Sequence, residues 1–210
     1  EIYTSSSSAA SDVYKRQHFM EHLIHRYGRK EVLTWKFNMW TSPDLEMKGG
    51  YWHESMENFF LFYRVTYNAI KTVDEALQFG GPDFSIPNGF SWYQAFFDYC
   101  RTYELHPDFL TVHLYASNFN TSDRMIQNRY LTDTTEHSYR SAAGLYQSFF
   151  DFLHLVHQDP TFTDYPVIIS DWNNTYHPKD YARDTCFMSS FIAYTVQMLS
   201  LIHISEPTRR

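Results

Sequence analysis

Pro166-Val167-Ile168-Ile169-Ser170-Asp171-Trp172-Asn173 is an aliphatic run that ends in an acid, an aromatic ring and an amide. A continuous apolar run of this length reads as a strand buried on both faces, the kind found in parallel sheets. A second stretch has the same build: Trp35-Lys36-Phe37-Asn38-Met39-Trp40-Thr41-Ser42-Pro43-Asp44. Parallel α/β barrels carry their chemistry at the C-terminal ends of strands. Both stretches place polar and aromatic residues there.

Between and around them, strand-like and helix-like segments alternate. Residues 18–27 read as the end of a helix stopped near Gly28, and 31–40 as a strand. Phe59, Tyr63, Tyr67, Ile70, Val73 and Leu77 recur at steps of three and four, which predicts an amphipathic helix over 56–77. A short strand follows over 78–85, including Gly80-Gly81-Pro82. Trp92, Phe96, Tyr99 and Tyr103 mark the next helix, with Ser91 in position to cap it. Then come a strand over 108–115, a long loop over 117–136 of the kind that often carries function, a helix over Ala142, Leu145, Phe149, Phe152 and Val156, a strand over 166–172 and a helix over 184–199. This alternation argues for a parallel sheet flanked by helices. A doubly wound sheet would carry a glycine-rich phosphate loop after its first strand, and none is visible.

The two ends differ in character. Residues 1–17 are Ser/Ala-rich with no apolar period, and residues 200–210 break the register of the helix before them. Both resemble translated adapter sequence from the ends of metagenomic reads and are set aside from the fold. The remaining residues, 18–199, suffice for one core, whereas a complete eight-stranded α/β barrel takes about 250. The chain therefore reads as an internal fragment.

The formal charge is −7, with no basic cluster, which argues against direct nucleic-acid contact by this segment. Aromatic residues make up 19% of the chain, enough both to fill a core and to face sugar rings. Cys100 and Cys186 are too few for a disulfide framework or a zinc site, and a reduced, cytoplasmic setting fits them. No apolar run is long enough to span a membrane. His18, Glu21 and His22 match the H-x-x-E-H zinc-peptidase pattern, but no third ligand lies nearby, so neither metal nor cofactor is expected.

The paired strand ends resemble the two catalytic segments of glycoside hydrolase family 39, which contains β-xylosidases and α-iduronidases. In that family the first segment runs roughly W-x-F-E-x-W-N-E-P, its second Glu being the general acid/base. The second runs roughly I-T-E-[WYF]-N, its Glu being the nucleophile. Here Thr41-Ser42 stands in place of Asn-Glu and Asp171 in place of the nucleophilic Glu. His177-Pro178-Lys179-Asp180 resembles a family loop reading H-P-R-D. The resemblance implies an incomplete (β/α)8 barrel, strands four to seven with their helices. Positions 42 and 171 lie 129 residues apart, with room for three strand–helix units.

By this resemblance Asp171 holds the nucleophile position, Ser42 the acid/base position, and Trp40, Thr41, His113, Tyr115, Trp172 and Asn173 belong to the sugar site. Strand alternation puts His113 and Tyr115 on one face and Leu110, Val112 and Leu114 on the other. It also puts Asp171 on the face of Val167 and Ile169. Trp40 and Trp172 either stack on sugars or pack the barrel mouth. Retaining glycosidases need two carboxyl groups about 5–5.5 Å apart. Asp is shorter than Glu by roughly 1.5 Å, and a misplacement of about 1 Å can cost about a hundredfold in rate. A serine hydroxyl has no useful acidity near neutrality. Asp44 is the nearest carboxylate to position 42, and alternation with Pro43 points it away. Two functions stay open: a β-xylosidase-like hydrolase with altered residues, and a non-catalytic carbohydrate-binding barrel such as AraC-type transcription regulators can carry.

Overall fold

A computed structural model of the chain describes residues 6–45, 52–86, 89–118, 126–127, 138–139, 142–174 and 181–205. Helix α1 (Ser6–Tyr27) runs unbroken through residue 17 and ends at Gly28, whose φ of 86° suits a residue without Cβ. A single turn, α2 (Arg29–Val32), leads into β1 (Lys36–Asn38). Of the segment expected to be one strand over 31–40, the first two residues belong to α2 and strand is confined to 36–38. Then follow α3 (Met56–Val73), β2 (Gln78–Gly80), β3 (Phe84–Ile86), α4 (Phe90–Tyr103) and β4 (Leu110–Tyr115). Within the expected loop 117–136, the described residues include β5 (Ser117–Asn118) and β6 (Ile126–Gln127). These join β7 (Ser138–Tyr139) in a small antiparallel sheet of order β5-β7-β6. The chain continues through α5 (Ala142–Gln158), β8 (Val167–Asn173), a 3₁₀ turn at Tyr181–Asp184 and α6 (Cys186–Ser205).

β1 pairs with β2, β3 with β4, and β4 with β8, every pair parallel. β2 and β3 occupy one strand position, interrupted at Gly81-Pro82-Asp83, where the Gly81–Pro82 bond is cis. Across the interruption the Gly81 amide donates to Phe109 O and the Asp108 amide to Phe79 O, so β2 and β3 together bridge β1 and β4. Four strand positions joined by helices α3, α4 and α5 form an α/β arc arranged as part of a TIM barrel. Gly80 permits the close approach to β4: a Cβ there would collide with the Phe109 carbonyl and ring.

The helix layer is glued to the sheet by aromatic rings. Ser55 caps α3 by accepting from the Asn58 amide at 3.2 Å, and the expected period delivers Phe59, Tyr63 and Ile70 to the core. Gly89, not Ser91, takes the cap position of α4, because the helix starts one residue before Ser91. Phe84 is fully buried with ring centroids of Phe59, Trp92 and Tyr93 within 5.8 Å. The strand interruption leaves carbonyls outside the regular ladder, and buried tyrosines meet them. Tyr63 OH donates to Gly80 O at 3.1 Å, and Tyr93 OH donates to Thr111 O at 2.6 Å while lying near Pro82 O and Phe84 O. α6 leaves Phe187, Ile192, Tyr194 and Val196 exposed.

Packing outweighs these tyrosine hydrogen bonds in the balance of forces. Phe84→Ala is expected to lower unfolding free energy by about 3–5 kcal/mol, and Tyr93→Phe by about 1 kcal/mol. Urea denaturation of the two variants side by side measures the difference. Equal losses would mean that the hydroxyl, not the ring, secures the interruption.

Candidate active site

The polar residues converge at the C-terminal ends of β1, β3, β4 and β8. Their centre is Asp83, in the interruption between β2 and β3 and only 6% exposed. Its carboxylate accepts from Asn38 Nδ2 at the end of β1 and from Ser170 Oγ on β8, and lies 3.5 Å from His113 Nε2 on β4. Burial pushes the Asp83 carboxyl up, but the hydrogen bonds from His113 and Ser170 outweigh it and hold it below the usual carboxylate range. In the motif quoted above position 38 is Glu. Here the Asn38 amide donates to Asp83, which an ionised Glu cannot do.

On its other side His113 Nδ1 lies 2.7 Å from Ser42 Oγ, and Ser85 Oγ donates to the same Ser42 oxygen at 2.9 Å. Ser42 is 5% exposed, with its amide on Asp83 O. Ser42 and Trp40 both have positive φ, 39° and 67°. Non-glycine residues in that region need support from their surroundings and cluster at functional sites. Thr41 lies between them, half-buried. Trp40 is 45% exposed and meets Trp52 and Phe62 edge-on, with ring centroids at 5.6 and 6.0 Å.

The register of β4 and β8 corrects the face assigned to Asp171. Val112 pairs with Ile169 but His113 pairs with Asp171, so Ser170 is an extra residue, a β-bulge. Before the bulge, Val167 and Ile169 share the helix-facing side with Val112 and pack on the core. After it, Asp171 shares the inward side with His113 and Tyr115, and Tyr115 OH donates to Asp171 Oδ2. Asp171 is exposed. The same shift sends Trp172 to the side of Leu114, where it packs against the core. Of the two roles open to Trp172, packing is the one the structure gives it. Asn173 pairs with Tyr115 on the inward side, but its Oδ1 accepts from the Asn174 amide at 2.8 Å.

Asp44 does not obey strand alternation, because β1 ends at Asn38 and residues 39–45 are irregular. Its carboxylate accepts from the Ser85 amide at 3.0 and 3.1 Å, and a Cβ on Gly89 would lie 3.0 Å from Asp44 Oδ2. It therefore faces the turn from β3 into α4. Burial pushes its carboxyl up to about 7, against the lowering effect of backbone N–H groups and His113. A recess of about 280 Å³ between Pro107 and Pro166 lies at the opposite end of β4 and β8, away from all these groups.

Asp83, Asn38, Ser85 and Ser170 were not singled out from sequence. The usable signal was a lone hydroxyl inside an apolar strand, as in Phe84-Ser85-Ile86 and Ile168-Ile169-Ser170. His177-Pro178-Lys179-Asp180 lies outside the described residues. His18 and Glu21 approach at 3.6 Å on exposed helix, and among the described residues no group of three or more His, Cys, Asp or Glu could hold a metal. Cys100 and Cys186 are free thiols, and among the described residues no helix is long and apolar enough to cross a membrane.

Comparison with known proteins adds a family and a fold. The family model described as "Glycosyl hydrolases family 39" matches residues 15–204. A beta-xylosidase of Caldicellulosiruptor saccharolyticus is 30% identical over 177 residues, covering 83% of this chain and 32% of that protein. One from Geobacillus stearothermophilus is 30% identical over 179 residues, covering 83% and 33%. This chain thus spans about a third of the length of these curated relatives. A monomeric beta-xylosidase from Caulobacter crescentus CB15 shares the fold, with a TM-score of 0.77 over 91% of this chain and 36% of that one at 24% identity. A bacterial orthologue of human α-L-iduronidase does so with a TM-score of 0.69 over 99% and 32% at 15% identity.

The Asp44 carboxyl makes stability depend on pH. Unfolded, it ionises near 3.8; folded, near 7. Between these values the folded state binds more protons than the unfolded one, so stability falls as pH rises from about 4 to about 7. The loss from this group is on the order of 4 kcal/mol at 1.36 kcal/mol per pH unit. Asp44→Asn is expected to flatten that limb in thermal melts across the interval; an unchanged slope would place the effect elsewhere.

Proposed function

The chain belongs to glycosyl hydrolases family 39, and we propose that it supplies strands four to seven of such a barrel. On this reading residues 18–199 are the native part, flanked by non-native ends at 1–17 and 200–210. The site binds a xyloside-like sugar and is impaired in hydrolysing it. The observation that carries this is the fate of position 42. Its hydroxyl is engaged by His113 and Ser85, and among the described residues no carboxylic acid takes over there: Asp83 is held ionised by its donors and Asp44 is turned into the β3–α4 turn.

The rest of a sugar cradle is retained. Asp171 sits at the nucleophile position with Tyr115 as donor. The exposed face of Trp40 offers an apolar surface to a pyranose ring, and Thr41, His113 and Asn173 line the same strand ends. Binding without efficient turnover fits a sensing barrel of the kind found beside a DNA-binding domain in AraC-type regulators. A second reading, an active retaining β-glycosidase with a different acid, is supported by the Tyr115–Asp171 hydrogen bond, which keeps that carboxylate pointed into the site.

Calorimetry with xylose and xylo-oligosaccharides on the full-length protein is expected to detect binding, alongside little release of phenol from phenyl β-xyloside. Ser42→Glu combined with Asp171→Glu is expected to raise phenyl xyloside hydrolysis by about 10² or more, the usual scale of acid–base assistance. Efficient parental hydrolysis abolished by Asp171→Ala would replace this reading with the second. Absence of sugar binding would remove both.

A further inference from the structure

The buried chain Asp83–His113–Ser42–Ser85 has hydrogen-bond capacities that go beyond holding a sugar. A hydroxyl has one hydrogen to donate and two lone pairs to accept with. Ser85 Oγ–H already occupies one lone pair of Ser42 Oγ. When His113 is neutral and its Nε2–H faces Asp83, Nδ1 is an acceptor and takes the Ser42 hydrogen. Ser42 then offers the sugar a lone pair. When His113 is protonated, both ring nitrogens donate, Nδ1–H fills the second lone pair of Ser42, and the Ser42 hydrogen must turn to whatever occupies the site. Position 42 therefore switches between acceptor and donor with the protonation of His113. A general acid/base has to make that change between the two halves of a retaining reaction.

We propose that His113, braced by Asp83, is the proton reservoir for this site and that Ser42 relays its proton to and from the glycosidic oxygen. The proposal rests on the family-39 sugar site described above and names the acid that its residual turnover uses. In the first half, Asp171 Oδ bonds to the anomeric carbon as the carbon–oxygen bond to the leaving group breaks. The departing oxygen takes the Ser42 hydrogen, Ser42 takes the hydrogen on His113 Nδ1, and a neutral alcohol leaves. In the second half, water attacks the anomeric carbon and gives its proton to Ser42, which returns one to His113, while the bond to Asp171 breaks. The net change is glycoside plus water to sugar plus alcohol, with every group restored. Asp83 faces His113 Nε2 at 3.5 Å, and Ser85 keeps the serine oxygen turned toward His113 by filling its other lone pair.

Leaving-group dependence tests the relay, because a dinitrophenolate departs without a proton and a phenolate does not. On the full-length protein, kcat/KM is measured for phenyl and 2,4-dinitrophenyl β-xylosides with the parent, Ser42→Ala and His113→Gln. The glutamine can still hydrogen-bond to Ser42 but cannot carry the proton. Each variant is expected to lose about 10² on the phenyl substrate and far less on the dinitrophenyl one. An equal loss on both substrates, or no loss on either, overturns the relay. So does a parent that binds xylose yet turns over neither substrate, and that outcome leaves the sugar-binding reading standing. A parent that binds no sugar overturns both.

Discussion

One buried carboxylate holds the site end of this molecule together. Asp83 takes hydrogen bonds from Asn38 at the end of β1 and Ser170 on β8, and faces His113 on β4, from a break in the strand position between β1 and β4. All four strand positions thus meet at one ionised group. A buried charge of this kind is costly unless its partners are complete, so the register of each strand is tied to the others through it. The glycines and proline around it serve the same end. A side chain at Gly81 would strike Asn38, and one at Gly80 would strike Phe109.

The same carboxylate joins architecture to chemistry. Through His113 it reaches Ser42, a hydroxyl whose direction depends on its neighbours. Asp83 and Asp44 illustrate how environment divides two buried acids that both feel one imidazole. Donors keep the first ionised, whereas burial protonates the second near neutrality. The hydrogen-bond partners of the Ser42 hydroxyl are instead His113 and Ser85.

Much of the framework was legible in the chain. Steps of three and four placed α3 and α5, and apolar runs placed β4 and β8. The misreadings share a cause. The segment 31–40 was read as one strand, yet a helical turn occupies its start. Asp44 was assigned by alternation where no strand exists. Asp171 was assigned by alternation across a bulge. Period-2 reasoning holds only while the ladder is regular, and regularity is set by the neighbouring strand, not by the residues themselves.

By itself, then, the sequence determined the alternation of strands and helices, the aromatic character of the core and the chemical identities at positions 42, 113 and 171. Those follow from local periodicity and residue type. Only the tertiary structure decided that Ser170 is the extra residue in β8, that Asp171 turns inward while Trp172 joins the core, and that Asp83 gathers four strands around His113 and Ser42. These depend on the partner register and on hydrogen bonds between residues separated by as many as 87 positions. No short stretch of chain carries that information, because the energy that selects it arises between strands and not within them.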